Sequence, residues 1–392
     1  MIIRPTSLEG QRGGILFPVL LILFVAAVGT LIYGLSSETN KPDFALFTVS
    51  YLFLMGISQA GVVFCAMTRL VEADWSKPYY RFAEFCTLAY FPFALVGFIV
   101  IFAFARHDLF YWVGASADEH LSAWLNIDWL LIRGLGAMLL FYAVSFWYVR
   151  KAMGPDLAAG SGRTVDEDKV QKDLYLFSPI VIIAFVLTNT FFAWDFGMML
   201  IPHWHSTVFP IHFWFGNIFA GCAALVVFAI IGRRVDGAAS AFGPHEIKSL
   251  GMLATGFTLM WLYFFWAQFF VIWFGNLPHE TETLWKQMYG HYGPFFWTMM
   301  IGCFFVPFVA FLFAVVKRSL LAMGIIALGI NVGIWINKYL MIVPVFSDDN
   351  TPFDSWMDLL LALGLLAGFA ATVMLLARRY PEYSRWEMNR EN

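Results

Sequence analysis

Ten stretches of this chain run apolar for about 20 residues each, the length a helix needs to cross roughly 30 Å of hydrocarbon. They are residues 14–35, 45–67, 84–105, 129–149, 177–194, 207–231, 250–275, 294–316, 319–343 and 356–377. Hydrocarbon offers no hydrogen-bond partners, so each stretch must satisfy its own backbone, and runs this long do so as helices. Charged residues make up only 13% of the 392 positions and hydrophobic ones 60%, against roughly 25% charged in a soluble domain. The expectation is an all-α polytopic membrane protein with ten transmembrane helices and no soluble domain. The first stretch runs on to full helical length with no small-residue cleavage site after it, so it reads as a retained span.

The basic residues check that count independently. The N-terminal segment, the loops after helices 2, 4, 6 and 8, and the C-terminal tail carry 19 of the 24 Lys and Arg residues. The opposite loops carry only Lys41, Arg106 and Lys286, while Arg133 and Lys338 fall within helices. A miscounted helix would scramble this alternation, so the positive-inside rule places both termini in the cytoplasm. The formal net charge of −3 carries no argument about nucleic acid, because the charges belong to loops on different sides.

Three features bear on organisation. The stretch 150–175 is Gly-rich and mixed in charge, the composition of a flexible connector. The stretch 106–128 contains Leu109-Phe110-Tyr111-Trp112 and Leu121-Ser122-Ala123-Trp124-Leu125, which suggests short interfacial helices. Gly56-Ile57-Ser58-Gln59-Ala60-Gly61 in helix 2 and Gly216-Asn217-Ile218-Phe219-Ala220-Gly221 in helix 6 form a faint internal repeat. A four-helix unit repeated once, helices 2–5 (44–194) and 6–9 (207–343), would keep its orientation because four is even. Helices 1 (14–35) and 10 (356–377) would flank the pair.

The segment between helices 5 and 6 concentrates titratable groups. Trp194-Asp195-Phe196-Gly197 is followed by Pro202-His203-Trp204-His205-Ser206-Thr207, with His212 close behind. A carboxylate and imidazoles are expensive to hold beside hydrocarbon, so they point to proton or quinol chemistry; the alternative is a polar lip where the chain turns. Cys65, Cys86, Cys222 and Cys303 lie inside spans and form no Cys-x-x-Cys series, which excludes an iron–sulfur cluster or c-type haem held by this chain's own ligands. Electrons would arrive from a partner or on a quinol. Other polar residues within helices are Arg133, Asn189, Gln268, Asn337 and Lys338 towards one side, with Gln59, Asn217 and Asn331 deeper. Arg133 is expected either to pair with Asp128, five residues away, or to face the bundle interior, and Lys338 to snorkel or find an interior partner.

Several longer motifs are familiar. His245-Glu246-Ile247-Lys248-Ser249-Leu250, then Trp261, Tyr263 and Gln268-Phe269-Phe270-Val271-Ile272-Trp273, then Asn276-Leu277-Pro278-His279-Glu280-Thr281, resemble the ActF-type membrane subunits of alternative complex III, a quinol-oxidising assembly of the NrfD/PsrC family. Pro202-His203-Trp204-x-Ser206-Thr207, and Lys317-Arg318 followed by Lys338 and Pro344, resemble the same subunits. The likeness is good over helices 5–10 and rests mainly on pattern over helices 1–4. Two positions depart from it: Ile201 stands where a carboxylate usually precedes Pro-His, and His279 replaces the first glutamate of Pro-Glu-Glu-Thr.

The resemblance implies the two four-helix bundles and a bacterial inner-membrane location. It also implies a sister NrfD-like subunit as the better candidate for the main quinol site, with periplasmic partners bearing iron–sulfur clusters, a molybdopterin-like subunit and c-type cytochromes. For this chain it implies proton transfer coupled to quinol oxidation. Asp195, His203, His205 and His212 would form the outer exit, Asn189, Gln268 and Lys338 would close the outer half, and Gln59, Asn217 and Asn331 would hold water deeper in, with Asp128 and Arg133 also on the candidate path. Two other readings stand beside it. The chain could itself bind menaquinone near His203, Trp204 and Asp195, for which an aromatic-lined pocket opening to lipid would be the mark. Or it is a structural anchor, whose polar residues would all be mutually satisfied and dry; a secondary transporter fits less well, since no matching pair of broken helices is evident.

The expected topology is checked by accessibility labelling. A cysteine placed at Trp204 should react with an impermeant reagent added from outside intact cells, and one at Lys317 should not. The reverse pattern would invert the assignment.

Overall fold

In a computed structural model of the protein, the described residues are 15–37, 42–114, 123–202, 204–232, 242–276, 278–349, 351–352, 354–381 and 383–389. Among them ten helices are long and apolar enough to cross a membrane: α1 (Leu16–Ser36), α2 (Phe44–Leu70), α3 (Asp74–Leu109), α4 (Ile127–Gly160), α5 (Glu167–Leu200), α6 (Phe209–Ile230), α7 (Pro244–Gly275), α8 (Gly290–Leu312), α9 (Leu320–Phe346) and α10 (Trp356–Arg379). The chain is a multi-pass helical membrane protein, as the apolar windows require.

Several helices overrun the bilayer. At 1.5 Å per residue, the 34 residues of α4 make a rod of about 51 Å. The connector expected over 150–175 is therefore only residues 161–166. Its flanks are helical because Asp166 accepts the Lys169 N–H at the start of α5, acidic Glu167 and Asp168 occupy the first turn, where the helix dipole favours them, and Lys151 pairs with Asp173 across the two extensions at 2.7 Å. On the opposite side, residues 106–109 finish α3 rather than starting a separate interfacial helix, and Asn126 caps α4 by accepting the Asp128 and Trp129 N–H groups. The other described residues of that stretch, 110–114 and 123–126, form turns and bends and no helix, which corrects the expectation there, and residues 115–122 lie outside the described residues.

α2 is the centre of the assembly, packed against α3, α5, α6, α9 and α10, and nearly every side chain along it is buried. Small residues make this possible, because they let helix backbones approach where lipid supplies no hydrophobic drive for association. The two Gly-containing segments singled out as a repeat meet here: a Cβ on Gly56 would come within 2.5 Å of Asn217, and one on Gly221 within 2.4 Å of Ala60. Thr87 of α3 stitches the other flank, donating to the Ser58 carbonyl at 2.6 Å and accepting the Val62 N–H at 2.9 Å. α1, by contrast, buries only Ala27 and Gly34 and leans on α10.

On the face bearing the Lys/Arg-rich loops, the chain after α10 folds back over the ends of α2, α3 and α4. Glu387 pairs with Arg69 at 2.9 Å, Arg69 reaches Glu84 at 3.0 Å, and Arg81 holds both Glu84 and Asp156. Trp386 is buried alongside and donates its indole N–H to the Ala152 carbonyl. Burial, the largest single influence, pushes the Glu387 carboxyl up, but the Arg69 guanidinium, the Ser384 hydroxyl and Arg81 together outweigh it and hold the carboxyl below the usual glutamate range. A carboxylate depressed in this way contributes stability that is present above its unfolded value, about 4.3, and is lost as pH falls through the folded value. Glu387→Gln should lower the unfolding free energy at neutral pH by about 3 kcal/mol, a usual cost of breaking a buried pair. The gap from wild type should close below about pH 4. Thermal unfolding in detergent across pH reads both; a gap unchanged in acid would show that ion pairing is not what the tail contributes.

Candidate functional site

The titratable groups of the 5–6 turn do not gather into one cluster. Asp195, 2% exposed, ends α5 facing Arg133 of α4. The guanidinium donates to both carboxylate oxygens, from Nη2 at 2.6 Å and Nε at 2.8 Å, and Arg133 Nη1 donates to the Trp124 carbonyl at 2.7 Å. Trp124 completes the clamp, donating its indole N–H to Asp195 at 3.0 Å while its ring lies 4.3 Å from the guanidinium carbon. The pairing of Arg133 with Asp128 is thus corrected. Five residues turn a helix through about 500°, which sets the two side chains roughly 140° apart, and Asp128 is exposed in the first turn of α4.

Of the expected histidines, His203 lies outside the described residues, as does the side chain of His279. His205 is exposed on the turn. His212 is buried, but against α7, and among the described residues no hydrogen bond joins it or His205 to Asp195. The proposed exit therefore divides into a dry ion pair on one side and an isolated imidazole on the other.

Two of the deeper amides, Gln59 and Asn217, are joined through Asn189, while Gln59 Nε2 and Asn217 Oδ1 have no partner among the described residues. Asn217 of α6 donates to Asn189 of α5 at 2.7 Å, and Asn189 donates to Gln59 of α2 at 2.7 Å. All three are at most 1% exposed, so the string crosses three helices at their common contact. Asn331 takes no part in it; its amide donates to the Ala327 carbonyl of its own helix.

A crevice with about 60 Å³ of free space lies between the 5–6 turn, α6, α7, α9 and the short helix Pro278–Met288. Trp204, Phe209, Phe265 and Phe269 supply aromatic walls, and His212, Gln268, Gln287 and Asn337 the polar groups. Asn276 ends α7 in the left-handed conformation (φ 46°), which turns the chain so that Leu284 and Gln287 of the short helix border the crevice. Ser206 donates to the Gln268 carbonyl oxygen at 2.5 Å and accepts the Phe209 N–H at 3.2 Å, so one hydroxyl both starts α6 and fixes Gln268.

His212 is the anomaly. It is 3% exposed, its Nε2 has no hydrogen-bond partner, and its ring lies 5.5 Å from that of Trp261, whose indole nitrogen is also unpartnered. A buried polar group without a partner costs about 1–3 kcal/mol, and His212, which lines the cavity while Trp261 does not, is placed to find its partner in a ligand. Lys338 is close by and does not snorkel: it is fully buried, with Nζ 2.9 Å from the Phe213 ring centroid and 3.4 Å from the Phe213 carbonyl oxygen. Snorkelling fails because Lys338 points into the contact with α6. A purely structural anchor predicts satisfied polar groups; the Asp195 clamp fits that description and His212 does not.

Sequence reading singled out His212, Gln268, Lys338 and Trp204 without bringing them together. It missed Phe265, Gln287 and Trp261 as site residues. A signal existed, since Trp261, Phe265, Gln268 and Ile272 recur at three- and four-residue spacing along one face of α7.

Over 152 residues the chain is 27% identical to a component of the selenate reductase of Mesobacillus selenatarsenatis, a match covering 38% of this chain and 34% of that protein's length. It therefore spans about a third of that relative. No protein-family model matches the chain.

The Asp195 clamp is expected to act in stability. Asp195→Asn should cost about 3–5 kcal/mol by leaving the Arg133 charge buried and unpaired, and the double change Asp195→Leu with Arg133→Met should recover most of that loss. Thermal unfolding of the two variants beside the wild type checks it; a double variant no better than the single one would argue against a structural ion pair.

Proposed function

We propose that this chain is the membrane anchor subunit of a NrfD/PsrC-type oxidoreductase and that its crevice receives the headgroup of a membrane quinone, with menaquinone the expected class. One observation carries the reading: a buried, unpartnered His212 lines a crevice walled by Trp204, Phe209, Phe265 and Phe269. A quinone headgroup is a flat apolar ring with oxygens at its edges, and it suits a slot of aromatic walls with a hydrogen-bonding group at its end. Free space of about 60 Å³ accepts the oxygen-bearing edge of such a ring, with Leu284 and Gln287 moving aside for the remainder. When bound, the quinone carries electrons and protons between the bilayer and the partner subunits. His212 Nε2 holds one headgroup oxygen and exchanges a proton with it, and the Gln268 amide, oriented by Ser206, is placed to donate to the ring's polar edge. The aromatic walls keep bulk water from that exchange.

Partner subunits follow from the same reading. The likeness to a reductase component and the family motifs support association with redox-centre subunits, bearing iron–sulfur clusters, a molybdopterin-like group or c-type haems, and with a sister NrfD-like membrane subunit. They would dock on the Lys/Arg-poor face, nearest the crevice. Proton translocation, as alternative complex III would imply, is the second reading. The amide string Asn217–Asn189–Gln59 favours it, because it joins hydrogen-bonding groups of three helices inside the bundle.

In the intact complex, a photoreactive azido-naphthoquinone should label the crevice walls, and His212→Leu should cut that labelling about tenfold, the effect of losing roughly 1.4 kcal/mol. Labelling confined to other subunits would sink the quinone reading.

A further inference from the structure

Lys338 is a second anomaly of the crevice region, and its chemistry differs from that of His212. Its side chain is fully buried, and no carboxylate pairs with it among the described residues. Both close approaches of its Nζ are to groups that favour a cation: the face of the Phe213 ring, 2.9 Å from its centroid, and the Phe213 carbonyl oxygen at 3.4 Å. Phe213 immediately follows His212, and Asn337, which lines the crevice, immediately precedes Lys338. The amine thus bridges α9 to α6 one residue along from two positions that line the crevice.

A cation in such a place is costly without a counter-ion, and the remedy is a negative charge nearby in the same low-dielectric region. No carboxylate among the described residues forms an ion pair with the Lys338 Nζ, and Asp195, a buried acid of the neighbouring turn, is engaged by Arg133 and Trp124. The crevice, lined by His212 and Asn337, is a place from which an anion can reach the field of Lys338.

We propose that Lys338 is a positioning charge that makes the crevice prefer a headgroup carrying negative charge on its oxygen over the same ring uncharged. The inference rests on the quinone reading above and deepens it. His212 recognises the oxygen, and Lys338 sets which charge state of that oxygen is held. Because it acts through space across Phe213, its removal changes discrimination between ligands and leaves the walls and their affinity for an uncharged ring in place.

Lawsone, an acidic hydroxynaphthoquinone that is ionised at neutral pH, and its uncharged methyl ether are matched probes for this. Their affinities for the full-length protein in its complex are read by displacement of the azido-naphthoquinone label from the crevice. Wild type should bind lawsone at least about tenfold more tightly than the ether, and Lys338→Met should bring the two within about twofold while leaving the ether's affinity unchanged. Lys338→Gln serves if the Met variant fails to assemble. Equal binding of the two probes to wild type, as an uncharged Lys338 would give, overturns the proposal by itself and leaves the quinone site standing. A preference that survives in both Lys338 variants also overturns it. If neither probe displaces label from wild type, the quinone reading fails and this inference with it.

Discussion

Hydrocarbon supplies no hydrogen-bond partners, so every polar side chain in the membrane must find its partner within the protein or leave a cost standing. Most of the polar architecture here answers that constraint. Arg133 and Asp195 saturate each other with help from Trp124, the amides of Asn217, Asn189 and Gln59 join across three helices, and Thr87 and Ser58 tie α3 to α2. Unpartnered atoms do persist elsewhere, among them Thr48 Oγ1, Asn331 Oδ1 and, within the amide string itself, Gln59 Nε2 and Asn217 Oδ1. At the crevice an unpartnered imidazole lies beside free space, with an unpartnered indole and a lysine without a carboxylate close to it. That conjunction, more than any single residue, separates a binding place from ordinary packing.

The fold was legible because the signals behind it are local. A window of apolar residues has to be a helix in lipid whatever surrounds it, and all ten windows became spans. What composition misjudged was helix length outside the bilayer. Residues 150–160 and 167–175 read as linker because they are polar and contain Gly154 and Gly160, yet α4 and α5 continue through them, held by the Asp166 cap and the pair Lys151–Asp173. Polarity there reports exposure to water, not lack of structure. The Gly-rich segments of α2 and α6 were noticed as a similarity, and the reason they share small residues is that they lie against each other.

The site was legible in its parts and not in its assembly. Sequence proximity grouped Asp195 with the histidines of the turn, whereas α5 ends against α4 and α6 begins against α7, so residues 17 positions apart, Asp195 and His212, face different helices. The partner of Arg133 was misassigned for a related reason: spacing along one helix says which residues share a face, and only packing says which helix that face meets. Lys338 was weighed as a snorkelling side chain because depth was the only information available. Its burial against Phe213 depends on the crossing of α9 and α6, which no local pattern records.

The division of the turn into two unlike halves explains how it can serve a ligand. The Asp195 clamp fixes the end of α5 from one side. From the other, Ser206 starts α6 and holds Gln268, and its backbone N–H approaches the Met198 sulfur at 3.1 Å. The chain between them carries Trp204 into the wall of the crevice and delivers His212 at its polar end. Binding groups held by supports that are themselves fully bonded lose little on meeting a ligand, which is the physical content of preorganisation. The carboxylate that looked like a reactant is, in this arrangement, part of the support, and the imidazole a few turns away is the group left free to react.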